Sequence, residues 1–118
     1  MIKLSGSVLR ELYRECSVAD WDGRDAAPIS EAAIIDAVRV ASQLPERYPV
    51  PEIIPIATGD VGFEWYIDPY RVLSLSVAGD GYIYYAGLFG FKNADHGSKP
   101  LAGKLNEKVM SLLGEVYK

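Results

Sequence analysis

From Glu52 to about Phe91 the apolar residues recur at every second position, and glycine-bearing turns cut the stretch into short segments. Alternation with period two marks strands buried on one face, and short turns make neighbouring strands antiparallel. Turn length then decides which residues stand opposite one another. Taking Gly59-Asp60 as a two-residue turn pairs Thr58 with Val61, which predicts Ile56 opposite Phe63 and Ile54 opposite Trp65. A three-residue loop at Asp68-Pro69-Tyr70 sets Ile67 opposite Arg71, Trp65 opposite Leu73 and Phe63 opposite Leu75. The loop Gly79-Asp80-Gly81 sets Val77 opposite Ile83, Leu75 opposite Tyr85 and Leu73 opposite Gly87. The inward residues agree across all four strands, so the spacing predicts a four-stranded antiparallel meander. Its other side carries Ile53, Pro55, Glu64, Tyr66, Val72, Ser74, Ser76, Tyr82 and Tyr84. Pro55 cannot donate to a ladder, which predicts an edge position for the first strand.

Helical spacing governs the rest of the chain. Val8, Leu9, Leu12, Tyr13 and Cys16 form a stripe over Ser7 to Val18, with Ser7 as the expected N-cap. Asp20 to Pro28, with its Asp-Gly and Pro, reads as a loop. Ser30 caps a second helix whose stripe is Ala33, Ile34, Ala37, Val38, Ala41 and Leu44, and Pro45 ends it. Pro45, Pro49 and Pro51 make an extended connector around Tyr48, and Lys92 to Pro100 reads as a polar loop. A last helix carries Leu101, Leu105, Val109, Leu112, Leu113 and Val116. The expected architecture is an α+β, two-layer ααββββα fold with the helices on the apolar side of the sheet. Its 118 residues are expected to form a single domain, 1–118.

Composition excludes several functions. One cysteine leaves no disulfide framework and no Cys-rich zinc module, and no apolar run approaches the roughly 20 residues of a membrane helix. Met1 to Ser7 lacks the apolar stretch of a secretory signal, so a cytoplasmic protein with no membrane association is expected. Between Glu15 and Asp68 eleven acids face three arginines, and the net charge is −4. Without a basic stripe, nucleic-acid binding is not expected, whereas an acidic surface suits either solubility or a basic protein partner.

Catalytic apparatus is sparse. His96, the only histidine, lies between Asp95 and Gly97, but Asn93, Asp95 and Ser98 around it show no triad spacing. Scattered aspartates offer no EF-hand and no metal set, so neither metal nor cofactor is expected. Cys16 lies on an apolar helical stripe, where a buried, inert thiol is expected. Gly79-Asp80-Gly81 and Gly87-Leu88-Phe89-Gly90 lack a Walker lysine and read as turn and bulge. Glu64 has Ser74 as its expected neighbour and no second acid in its row. Trp21 within Asp20 to Asp25 suits either a ligand-stacking ring or a loop anchor. Tyr66, Tyr82 and Tyr84 among small polar residues suit protein recognition, and equally suit cross-strand pairing without a partner.

Trp21-Asp22-Gly23, Ala27-Pro28, a helix ending Leu44-Pro45, Pro51-Glu52, Gly59-Asp60, Glu64-Trp65 and Tyr85-Ala86-Gly87 together resemble a family of small uncharacterised bacterial proteins. The likeness spans roughly Asp20 to Gly90 and implies no activity. Members tend to carry an aromatic after the Trp-Asp-Gly, where this chain has Arg24. The functional expectation is a non-enzymatic protein-interaction module, an adaptor or an antitoxin-like or immunity-like partner, binding another protein or itself. Trp21, Asp22, Tyr66, Tyr82 and Tyr84 are its candidate binding residues. The alternative is a small-molecule binder or hydrolase in which the Asp20 to Asp25 loop and the Asp95-His96 segment converge.

Overall fold

The computed structural model describes residues 6–101 and 107–118. Its elements run α1 (Gly6–Cys16), α2 (Glu31–Gln43), β1 (Glu52–Pro55), β2 (Val61–Asp68), β3 (Arg71–Val77), β4 (Tyr82–Phe89), β5 (Ala94–Pro100) and α3 (Glu107–Val116). The fold is α+β, with one antiparallel sheet in the order β1-β2-β3-β4-β5. Five strands form it rather than four. Among the described residues no helix is long and apolar enough to cross a membrane.

The central registers follow the alternation. Trp65 stands opposite Leu73, Phe63 opposite Leu75, Leu75 opposite Tyr85, Val77 opposite Ile83 and Leu73 opposite Gly87. These side chains are buried together with Leu9, Val40, Val109, Leu113 and Val116 from the three helices and Ile29 from the segment before α2, so one side of the sheet is the core. Near the β2–β3 turn the pairing slips: Asp68, not Ile67, faces Arg71, because a bulge leaves Ile67 without a partner. The Asp68 carboxylate accepts from the Tyr70 N–H at 2.8 Å, which closes the turn around Pro69.

The register of β1 is a correction. Ile53, not Ile56, pairs with Phe63, and Ile54 pairs with Gly62. Gly59 does not open a two-residue turn. The Ile56 N–H donates to the Asp60 carbonyl at 2.9 Å, so the loop is Ala57-Thr58-Gly59, and Gly59 takes its left-handed position at φ 96. That is the usual geometry of a three-residue hairpin loop. The resulting shift is by an odd number of residues, so it exchanges the faces of the strand. Ile53 turns to the core, while Ile56 lies over Gly62 on the opposite side.

The segment read as a polar loop is strand β5, paired with β4 from Leu88 opposite Ala94 to Tyr82 opposite Pro100. It lacks the apolar alternation because its inward positions are met by polar contacts. Asp95 pairs with Lys108 of α3 at 2.7 Å, and Gly97 leaves the space taken by the Tyr85 ring.

The helices differ from expectation in three respects, the first being that Leu101, read as part of the last helix, lies before α3 and donates its N–H to the Gly81 carbonyl at 2.8 Å. α1 already includes Gly6, so Ser7 lies within it rather than capping it. On α2, Asp36 and Val40 are buried and Val38 is exposed, so the inward stripe is rotated. Ser30 does cap α2, its hydroxyl accepting from the Ala33 N–H at 3.0 Å. The expectations for Met1 to Ser5 and for Leu105 lie outside the described residues.

Gly79 seats the N-terminus of α2 on the β3–β4 turn. A Cβ there would stand 2.7 Å from the Ala32 Cβ and 2.8 Å from backbone atoms of Ala32 and Ala33, at φ 85. Gly81 has nearly the same φ, 84, but open space around it. Gly79→Ala should therefore cost roughly 2–4 kcal/mol and Gly81→Ala only about 1–2 kcal/mol. Urea denaturation of the two variants measures the difference, and equal losses would contradict this seating of α2.

Candidate docking face of the sheet

All three helices pack on one side of the sheet, and among the described residues no element covers the other side. Strand pairing arranges it in three rows, with Tyr82 opposite Pro100 beyond them at one end. One runs Ile54, Gly62, Ser76, Tyr84 and Ser98; the next runs Glu52, Glu64, Ser74, Ala86 and His96; the last runs Tyr66, Val72, Leu88 and Ala94. The small residues Gly62, Ser74, Ser76 and Ala86 lie between larger ones, which makes the face concave. Two adjoining depressions of about 560 and 290 Å³ share Ser74 and Ala86 as their floor. His96 and Leu88 line the larger, and Ile54, Ile56 and Tyr84 line the smaller.

Tyr66, Tyr82 and Tyr84 all belong to this face, at 60%, 46% and 39% exposure, while Trp65, the neighbour of Tyr66 in sequence, is 3% exposed in the core. Rings left in water on a sheet with a wet face supply contact area at low entropic cost. Tyr84 is held in place: its hydroxyl donates to Asp80 Oδ2, and Asp80 Oδ1 accepts from the Tyr82 N–H at 3.1 Å. The donated hydrogen bond lowers the Asp80 carboxyl pKa and raises that of the Tyr84 phenol.

The β1 register also creates something the sequence reading excluded, a second acid in the row of Glu64. Glu52 stands directly opposite it. Like charges facing one another across strands are unfavourable by roughly 0.2–1 kcal/mol. No cluster of three metal-ligating side chains occurs among the described residues.

Trp21 and Asp22 are elsewhere. The Trp21 indole N–H donates to the Ala27 carbonyl at 2.7 Å and its ring packs on the core beside the helices. Asp22 Oδ1 accepts from the N–H groups of Arg24 and Ala26 at 2.8 and 3.0 Å. The Asp20 carboxylate accepts likewise from the Asp25 N–H at 2.5 Å. This loop spends its carboxylates on its own backbone. It is fastened to the β1 end by the Ala27 N–H on the Ala57 carbonyl at 2.8 Å. His96 lies in β5, four strand spacings away, roughly 19 Å. The Asp20 to Asp25 loop and the Asp95-His96 segment are not brought together.

Cys16 is buried, and burial, followed by the nearby Glu15 charge, pushes its thiol pKa up. Asp36 is the one buried charged residue among those described. Its Oδ2 has no hydrogen-bond partner, and Arg39 stands 3.8 Å from its Oδ1. No protein-family model, curated protein or solved structure matches the chain.

The tether between Tyr84 and Asp80 has a titration signature. In the folded protein Asp80 should titrate below the ordinary carboxylate range, so its stabilising effect is lost as pH falls through that lowered value. Tyr84 should titrate above the ordinary phenol range, losing its effect as pH rises through the raised value. Carbon-detected NMR titration of Tyr84→Phe should move Asp80 up toward the ordinary range, with the Tyr82 N–H still holding it somewhat low; an unmoved Asp80 would show that the phenol is not its partner.

Proposed function

We propose that the chain is a non-enzymatic protein-interaction module, adaptor-like or of the antitoxin or immunity kind, that docks its partner on the open sheet face. The observation that supports this reading most is the uncovered trough itself. It is concave, floored by small residues, and flanked by Tyr66, Tyr84 and Leu88, all left in water. Exposed aromatics around a shallow apolar floor are the composition of protein hot spots. The facing carboxylates of Glu52 and Glu64 select a partner with a basic side chain, since a cation placed between them would relieve their repulsion. The Trp21 loop serves as an anchor for its segment rather than as part of this surface.

The same reading places the chain with the small bacterial family it resembles, acting in the cytoplasm without nucleic acid, membrane or cofactor. A second reading draws on the larger depression, which has the size of a small-ligand site beside Ser74 and His96. There the ligand would lie across Ala86, and the Asp20 to Asp25 loop would take no part.

Pull-down from the native host with mass spectrometry distinguishes these. A partner captured by the wild type should be lost with the double variant Tyr66→Ser, Tyr84→Ser, while the variant keeps its circular dichroism spectrum and melts only slightly lower, for loss of the Tyr84 hydrogen bond to Asp80. Capture unchanged by the double variant removes the open face from consideration, and a copurifying metabolite favours the second reading. Glu52→Gln should act in opposite directions on the two properties. The free protein should gain about 0.5 kcal/mol at low salt, fading as salt screens the pair, while partner affinity should fall.

A further inference from the structure

We infer that the outer edge of β5 pairs antiparallel with the β5 of a second copy, joining two sheets about a twofold axis through Gly97. The inference begins with which backbone groups β5 leaves unused. The Phe89 N–H donates to the Asn93 carbonyl, and the Leu101 N–H donates to the Gly81 carbonyl, both at 2.8 Å. With the pairing of β4 and β5, this makes the odd-numbered residues of β5 the ones bonded to β4. Ala94, His96 and Ser98 therefore direct both N–H and C=O outward, and Pro100 directs a carbonyl. Among the described residues no further strand pairs there.

An outward ladder on a protected edge normally carries charges that would repel a copy of itself. β5 carries two charges, Asp95 and Lys99, equally spaced about Gly97. In an antiparallel pair centred on Gly97, Asp95 of one copy stands directly opposite Lys99 of the other, twice by symmetry. His96 then exchanges both N–H···O bonds with Ser98 of the second copy. The same parity makes Gly97 meet Gly97, and Asp95 meet Lys99, at non-hydrogen-bonded positions, where strands approach most closely and side chains touch. Glycine at the axis suits that approach. Asp95 retains 39% exposure of its side chain beside Lys108, enough to accept from a second cation. Shifting the register by two residues either way keeps the ladder but separates the opposite charges. Self-complementarity at one register is the property of an isologous interface.

This inference stands apart from the docking reading, because it uses the backbone edge of β5 and not the tyrosines. Sedimentation equilibrium of the wild type should give twice the chain mass at high concentration. His96→Pro removes an outward N–H without touching the ladder to β4, and a proline is tolerated at such a position. That variant should be monomeric with an unchanged circular dichroism spectrum. Lys99→Asp should weaken association by roughly tenfold at low salt. Asp95→Lys should also self-associate poorly, and mixing it with Lys99→Asp should restore a heterodimer, because both cross-strand pairs are then opposite in charge. The mixing result does not depend on whether His96→Pro folds. A wild type that stays monomeric to about 1 mM overturns the inference. So do a dimer unaffected by His96→Pro and single-charge variants that gain nothing on mixing. Loss of the dimer with partner capture intact would leave the docking reading standing.

Discussion

Burial of one side of the sheet is the constraint from which the other features follow. Val61, Phe63 and Trp65 of β2 align with Leu73, Leu75 and Val77 of β3 and with Ile83 and Tyr85 of β4, and all are sealed beneath α1, α2 and α3. Each large buried side chain contributes about 1.5–3 kcal/mol relative to exposure. A slip of one residue would therefore forfeit many of them together. Once that face is fixed, the strand periodicity sends every intervening residue to the opposite side. The open face is thus a by-product of core formation, and its chemistry is set by residues that the core does not restrain.

Polar groups on the connectors tie the two layers. The Trp65 indole N–H crosses to the Pro49 carbonyl at 2.8 Å, and Tyr48 stacks on Tyr117 with ring centroids 5.4 Å apart. The proline-bracketed connector is thereby clamped between the sheet and the end of α3. At the other end of the chain the Ile29 N–H donates to the Cys16 carbonyl at 2.8 Å, joining the entry to α2 to the end of α1. Each bond satisfies a backbone group that a loop pressed against a core would otherwise bury unpaired. The loop carrying Trp21 is ordered in the same way, by the indole N–H on the Ala27 carbonyl and the Ala27 N–H on the Ala57 carbonyl.

The central strands were legible in the sequence because each inward residue had to agree with its neighbours on both sides. A wrong offset there would have placed Trp65 or Leu75 against serine. β1 has a neighbour on one side only, and Ile53, Ile54 and Ile56 are interchangeable in hydrophobicity. Its face therefore depended on Gly59 alone, which suits the last position of a three-residue loop as well as the first of a two-residue turn. β5 was invisible for a different reason. Its inward positions hold Asp95, Gly97 and Lys99, matched to Lys108 and to the Tyr85 ring rather than to a hydrophobic layer. The tyrosine side of the face was readable from the β3 and β4 offsets, whereas the Glu52 and Glu64 pair needed the true register of β1.

The two edges of the sheet are unequal, and the inequality limits how copies can assemble. In β1 the bond from the Ile56 N–H to Asp60 makes the even-numbered residues the ones bonded to β2, so the backbone groups of Ile53 and Pro55 point to the outer edge of the sheet. Proline has no N–H to give, which leaves that edge a single donor over its four residues. The β5 edge offers donors from Ala94, His96 and Ser98. Pairing β5 on β5 consumes the better edge of both copies and leaves only the two β1 edges at the ends. Assembly then closes at two chains instead of propagating, since head-to-tail addition would need a complementary ladder on β1. Both open faces would remain on the outside of that pair, free for a partner whose binding involves neither edge.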